Sequence, residues 1–187
     1  MGKFNRLNSI NKNFFENSYA SKIAERLGYK LNENLGRGAS GISYTMNGGK
    51  VLKITSDKAE FLVANKLKGK TLKRIANIFE TYKVKEQEAF IIVLEYINLL
   101  PNELFQLIEE YNESNTNKRD SPKFYCLKKQ LNEIERELKD NGMRDPYDFD
   151  WRMNMGIKNG SLAAFDICDN TIDCINYSEL DISNIDV

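Results

Sequence analysis

The chain has 187 residues, with 27 lysines and arginines against 27 aspartates and glutamates. That length sets one domain as the default, divided at most into two lobes. The zero net charge argues against a nucleic-acid partner, and three cysteines with no C-x-x-C pair and no histidine offer no zinc site. No apolar run reaches membrane-spanning length; the longest, Ala89 to Leu94, is a buried strand at most. Met1 to Ser18 lacks the continuous apolar core of a signal peptide, and Arg6 stands where myristoylation prefers Ser or Thr. A cytoplasmic, reduced protein with no membrane partner is expected.

In chain order, residues 1–28 read as a polar leader ending in a short helix. Ala20, Ile23, Ala24 and Leu27 fall at helical spacing, and Gly28 is the stop. Residues 29–55 read as strand, glycine loop, strand, Asn47-Gly48-Gly49 turn and strand. Thr55-Ser56-Asp57 offers N-cap chemistry before the apolar stripe Ala59, Leu62, Val63, Ala64 and Leu67, and Gly69 ends that helix. Ile75–Val84 and Ala89–Ile97 then read as strands joined by a charged turn.

The second half is patterned differently. Asn102–Tyr111 reads as a helix after Pro101, and Asn112–Asp120 as a polar linker. Ser121-Pro122 opens a long helix to about Asp140, with Phe124, Leu127, Leu131, Ile134 and Leu138 on one face and Asn141-Gly142 as its terminator. A loop of Asp, Tyr, Phe, Trp and Arg follows. A hairpin, Met155–Lys158 and Ser161–Phe165, then turns at Asn159-Gly160 and delivers Asp166 at its end. The tail from Asp169 is acidic and weakly patterned.

The chemistry concentrates in Leu35-Gly36-Arg37-Gly38-Ala39-Ser40-Gly41 and the later Val51-Leu52-Lys53-Ile54. Glycines let backbone N–H groups approach phosphate oxygens with no Cβ in the way. A lysine on the adjoining strand places a cation beside the same phosphates. The same glycine spacing marks the dinucleotide fingerprint, where the glycines open a helix. Here Ile42-Ser43-Tyr44-Thr45-Met46 is a poor helix start, which favours a nucleotide-covering hairpin. The plain alternative is a glycine-rich hairpin with one exposed lysine.

From about Tyr29 to Asp166, the order of elements and these residues together resemble the protein-kinase-like superfamily. The resemblance implies an α+β, two-lobed fold: the leader 1–28, a β-rich N-lobe with one main helix over 29–97, and an abbreviated helical C-lobe over 98–187. Gly36, Gly38 and Gly41 resemble the glycine-rich loop, and Lys53 the phosphate-pairing lysine. Glu60 resembles the glutamate that orients that lysine, its plain alternative being a solvated helix residue. Ile92–Ile97 resembles the strand entering the hinge, so that the Glu95 carbonyl and Ile97 N–H would meet an adenine edge, with Leu94 behind it. Asn154 and Asp166 resemble the ligands that share Mg²⁺ with ATP phosphates.

Four departures qualify the resemblance. Phe149 stands where a catalytic aspartate is expected, five residues before Asn154, flanked by Asp148 and Asp150. Asp148 is the first choice of base and Asp150 the second; Asp145 lies too far from Asn154. Ile167-Cys168 follows Asp166 in place of the usual Phe-Gly, and Ser43 replaces the valine over the adenine. Only about twenty residues follow Asp166, too few for the helices that hold a peptide substrate.

Two functions follow from the resemblance. One is a minimal ATP- and Mg-dependent phosphotransferase acting on a protein or small-molecule hydroxyl. The other is a catalytically silent pseudokinase that binds nucleotide or a partner. A shortened second lobe is expected to leave the long helix's apolar face uncovered, inviting a homodimer or partner protein. Elsewhere plain readings are preferred: Cys168 is a small buried thiol, and Lys66, Lys68, Lys70, Lys73 and Arg74 form a solvated face. Phe149 and Trp151 anchor their loop to the core.

Overall fold

The structure, a computed structural model, describes residues 17–85, 88–114, 119–147, 149–169 and 179–180. Its contacts divide the chain into two compact units, one of 1–70, 77–96 and 174–187 and the other of 71–76 and 97–173.

The first unit is a five-stranded antiparallel sheet. Its strands are β1 (Leu31–Arg37), β2 (Gly41–Met46), β3 (Lys50–Thr55), β4 (Ile78–Val84) and β5 (Phe90–Glu95), in the spatial order β1-β2-β3-β5-β4. Glu179 and Leu180 extend the sheet, pairing in parallel with Lys83 and Val84. Side chains alternate between the two faces of each strand. On one face Ile42, Tyr44, Met46, Leu52, Ile54, Ile91 and Val93 bury against Tyr19, Ala20, Ile23 and Ala24 of helix α1 (Asn17–Arg26). Gly28 then ends that helix at φ +81°, as its sequence pattern anticipates.

The opposite face carries helix α2 (Lys58–Leu67). Its N-cap is Asp57, whose carboxylate accepts hydrogen bonds from the N–H groups of Ala59 (2.8 Å) and Glu60 (3.2 Å). Phe61 of α2 stacks on Phe90 of β5 with ring centroids 4.4 Å apart, a contact worth about 0.5–1.5 kcal/mol beyond its buried area. The alternation that sends Leu52 and Ile54 toward α1 therefore turns Lys53 toward the α2 side.

The second unit pairs β6 (Asn98–Leu99) with β8 (Met155–Lys158), and β8 with β9 (Ser161–Ala164). Asn159 at φ +51° and Gly160 at φ +75° make the expected tight turn of that hairpin. A second short pair joins β7 (Pro146–Tyr147) to β10 (Cys168–Asp169), which buries Cys168. Two helices complete the unit, α3 (Asn102–Glu113) and α4 (Tyr125–Asp140), the latter led in by a 3₁₀ turn over Pro122–Phe124.

Three expectations are corrected here. The apolar face of the long helix is covered: Phe124, Leu127, Leu131, Ile134 and Leu138 are all buried, with α4 packed on β7 and β9. The strand expected over Ile75–Val84 begins at Ile78, because 71–76 is held by the second unit. There the Ala76 N–H donates to the Ala164 carbonyl, and the Ala164 N–H to the Arg74 carbonyl (both 2.9 Å). The Glu137 carboxylate accepts the N–H groups of Lys73 (2.8 Å) and Arg74 (2.7 Å). Buried Lys158 donates to the carbonyls of Leu72 (2.7 Å) and Ile75 (3.0 Å). Lastly, Arg74 is not part of a solvated basic face, since its guanidinium pairs with Glu133. Among the described residues no helix is long and apolar enough to cross a membrane.

Candidate functional site

The first cluster lies on the α2 face of the sheet. Ser43, Lys53 and Ile92 share one row across β2, β3 and β5. Lys53 Nζ lies 2.5 Å from Glu60 Oε1, with side-chain exposures of 14% and 7%. Both plain alternatives fail on that contact, because the lysine is not an exposed hairpin residue and Glu60 is not solvated. A pair so withdrawn from water gives back in Coulomb energy about what desolvation costs. Its effect is positional: the carboxylate fixes one long, otherwise rotatable cation over the sheet.

The three loop glycines have three different physical grounds. Gly36 sits at φ +133°, a conformation that L side chains rarely adopt. Gly41 begins β2 so close to β3 that an added Cβ would lie 2.4 Å from the Ile54 carbonyl oxygen. Gly38 has neither constraint; an added Cβ there meets nothing within 4 Å. The N–H of Gly36 donates to the Asn34 side chain (2.8 Å) and that of Gly38 to the Gly41 carbonyl (2.9 Å). At the loop tip, the N–H groups of Ala39 and Ser40 make no hydrogen bond among the described residues. The N–H groups left open at the loop tip are therefore those of Ala39 and Ser40, two residues that the glycine pattern alone does not single out.

At the end of β5, the Glu95 carboxylate accepts the Asn77 N–H (3.1 Å), so its side chain caps the start of β4. Leu94 is buried on the α2 face beside Val51. Glu95 belongs to the first unit and Ile97, also buried, to the second.

The second cluster sits at the open end of the β8–β9 hairpin. Met155 pairs with Ala164, and one step further out the Phe165 N–H donates to the Asn154 carbonyl (2.9 Å). Asn154 and Asp166 are thus brought to the same end of the hairpin, both half-buried. Among the described residues no three of His, Cys, Asp and Glu gather as a metal cluster. One neutral and one anionic oxygen donor instead suit a hard cation that draws its remaining ligands from water and phosphate. Gly156 keeps the hairpin tight against β6, since an added Cβ would stand 2.5 Å from the Asn98 carbonyl oxygen.

No family model and no curated protein matches this chain. Among solved structures it is similar to a thermostable mutant of aminoglycoside phosphotransferase APH(4)-Ia in its apo form. The two are 13% identical at a TM-score of 0.42, over 80% of this chain and 73% of that one. A likeness of that size transfers no activity.

The loop before Asn154 is held by residues with no motif to announce them. Arg152 forms an ion pair with Glu109 of α3 and lies 4.7 Å from the centroid of the Phe105 ring. The Asn112 side chain donates to the Asp150 carbonyl (3.0 Å). The only signal that could have found them is the helical spacing of Phe105, Glu109 and Asn112 on α3. Phe149 is half-buried, but Trp151 is 57% exposed, which corrects the expectation that it anchors the loop. The loop is pinned by a guanidinium instead. Asp148 lies outside the described residues; Asp150 is half-buried.

Proposed function

We propose that the chain is a minimal kinase-like phosphotransferase that binds Mg-ATP and passes its γ-phosphate to a hydroxyl. The observation that carries this reading is the Lys53–Glu60 contact, 2.5 Å long and largely withdrawn from water. A sheet needs no such pair for its own stability, because a buried ion pair gains little over apolar packing. A lysine fixed beside a glycine loop is, by contrast, what phosphate neutralisation requires. Gly38 adds support: the backbone does not demand a glycine there, whereas a phosphate approaching the loop tip does.

On this reading Lys53 pairs with phosphate oxygens while the Ala39 and Ser40 N–H groups close over them. The Glu95 carbonyl and Ile97 N–H meet the adenine edge. Asn154 and Asp166 hold Mg²⁺, which when bound neutralises phosphate charge. Asp148 accepts the proton of the acceptor hydroxyl, with Asp150 as the second choice; such a base contributes about 10²–10⁴-fold. A second reading, a silent nucleotide-binding pseudokinase, is favoured by Phe149 at the position expected of the base.

Calorimetry of Mg-ATP binding tests the site. Wild type is expected to bind, with affinity falling tenfold or more in Lys53→Met and in Asp166→Ala. No binding by folded wild type sinks both readings. Turnover that disappears in Asp148→Asn, with binding unchanged, separates the enzyme from the silent module.

A further inference from the structure

On residues that neither cluster uses, the solvent side of α4 and the residues that lead into it line an open groove of about 850 Å³, a volume within the range of small-molecule sites. Its charges do not cancel. Lys128 pairs with Asp120, and Glu133 is taken by Arg74, so both acids of the lining are neutralised. Arg119 is committed to the end of α3, donating to the carbonyls of Tyr111 and Asn112 (both 2.9 Å). That leaves Lys129 and Arg136, exposed cations with no ion pair or hydrogen bond among the described residues.

These two share a stripe with Tyr125. At 100° per residue, positions 125, 129 and 136 fall within about 40° of one another around the helix. Along the axis Lys129 is about 6 Å and Arg136 about 16 Å from Tyr125, a gap that two long side chains can close on one anion. Tyr125 is 71% exposed, a large ring without cover, and Ser121 adds a hydroxyl at the margin. Ring, two free cations and a hydroxyl in one groove define a ligand with a planar body and an anionic end. We propose that this groove binds a nucleoside monophosphate, its base on Tyr125 and its phosphate between Lys129 and Arg136. The site is independent of the ATP site proposed above.

Titration of the isotope-labelled full chain with AMP, followed residue by residue by NMR, tests it. Saturable shifts are expected across residues 119–136, and equally in Lys53→Met. Affinity should fall tenfold or more in Lys129→Glu/Arg136→Glu, two exposed positions where charge reversal leaves the core intact. Tyr125→Ala should lose the preference for AMP over ribose 5-phosphate. Shifts confined to the glycine loop and Lys53 would overturn the groove while leaving the ATP site standing. Groove shifts that survive the double reversal, or inorganic phosphate binding as well as AMP, would also overturn it. So would a single-stranded oligonucleotide that displaces AMP at far lower concentration, which would make the groove a nucleic-acid surface.

Discussion

The two clusters of candidate residues are held in place by different means. Lys53 and Glu60 take their positions from regular structure: strand register sets the row, alternation sets the face, and a capped helix brings the carboxylate. Asn154 and Asp166 depend on a short hairpin whose approach loop is fixed by side chains from α3, Arg152 to Glu109 and Asn112 to Asp150. A register is a collective property of many residue pairs, such as the six that join β2 and β3. A loop pinned by an ion pair depends on one or two side chains. The first arrangement resists single substitutions unless the strands themselves are forced apart; the second does not.

The strongest test of that difference uses the close-approach glycines. Gly41→Ala presses a methyl group onto the Ile54 carbonyl in the first unit, and Gly156→Ala presses one onto the Asn98 carbonyl in the second. Backbone cannot give way as a flexible side chain can, so each should lose about 1–3 kcal/mol of stability. Gly38→Ala, facing open space, should stay within about 0.5 kcal/mol of wild type while weakening Mg-ATP. Denaturant midpoints settle the order. A Gly38→Ala as unstable as Gly41→Ala would show that all three glycines serve the fold, and would remove one support of the phosphate reading.

What was legible in the sequence follows the same division. The stripe Ala20, Ile23, Ala24 announces α1, Thr55-Ser56-Asp57 announces a cap for α2, which Asp57 supplies, and Asn159-Gly160 announces the hairpin turn, because each is a local rule. The face of α4 was legible as apolar, but not as covered. Its cover comes from β7 and β9, packing that no spacing within the helix itself reveals. The strand reading at 75–76 fails for the same reason. Ile75 and Ala76 have strand-like side chains, yet their partners are Lys158 and Ala164. Trp151 misled in another way: aromatic character favours burial, whereas here Arg152 took over the anchoring and left the indole outside.

A smaller effect should come from the lysine that ties 71–76 into the second unit. Lys158→Met keeps the stem and removes a donor shared by the Leu72 and Ile75 carbonyls. About 1–2 kcal/mol should be lost. Hydrogen exchange should quicken at 71–76 and leave the register of β2, β3 and β5 protected. Equal loss of protection in the sheet would mean that the segment supports the first unit as well, and the contrast between the two would narrow.

The subtlest expected difference is a response to alkali. Burial pushes the Tyr19 phenol up to about 12, and burial together with the Glu80 carboxylate does the same for Tyr82. Burial also raises Tyr44, against a lowering influence of Arg37. All three belong to the first unit. A folded-state value above the unfolded value of about 10 means that the native chain holds its phenolic protons more tightly. The associated stability is complete below pH 10 and is lost as pH rises toward 12. A brief pulse of proteolysis at pH 11 should therefore cut within 17–70 before 119–169, and Tyr19→Phe should delay those cuts. Cleavage that starts in both regions at the same pH would show that the two units unfold as one cooperative block. In that case the tyrosines would mark a weakness of the whole chain rather than of the first unit alone.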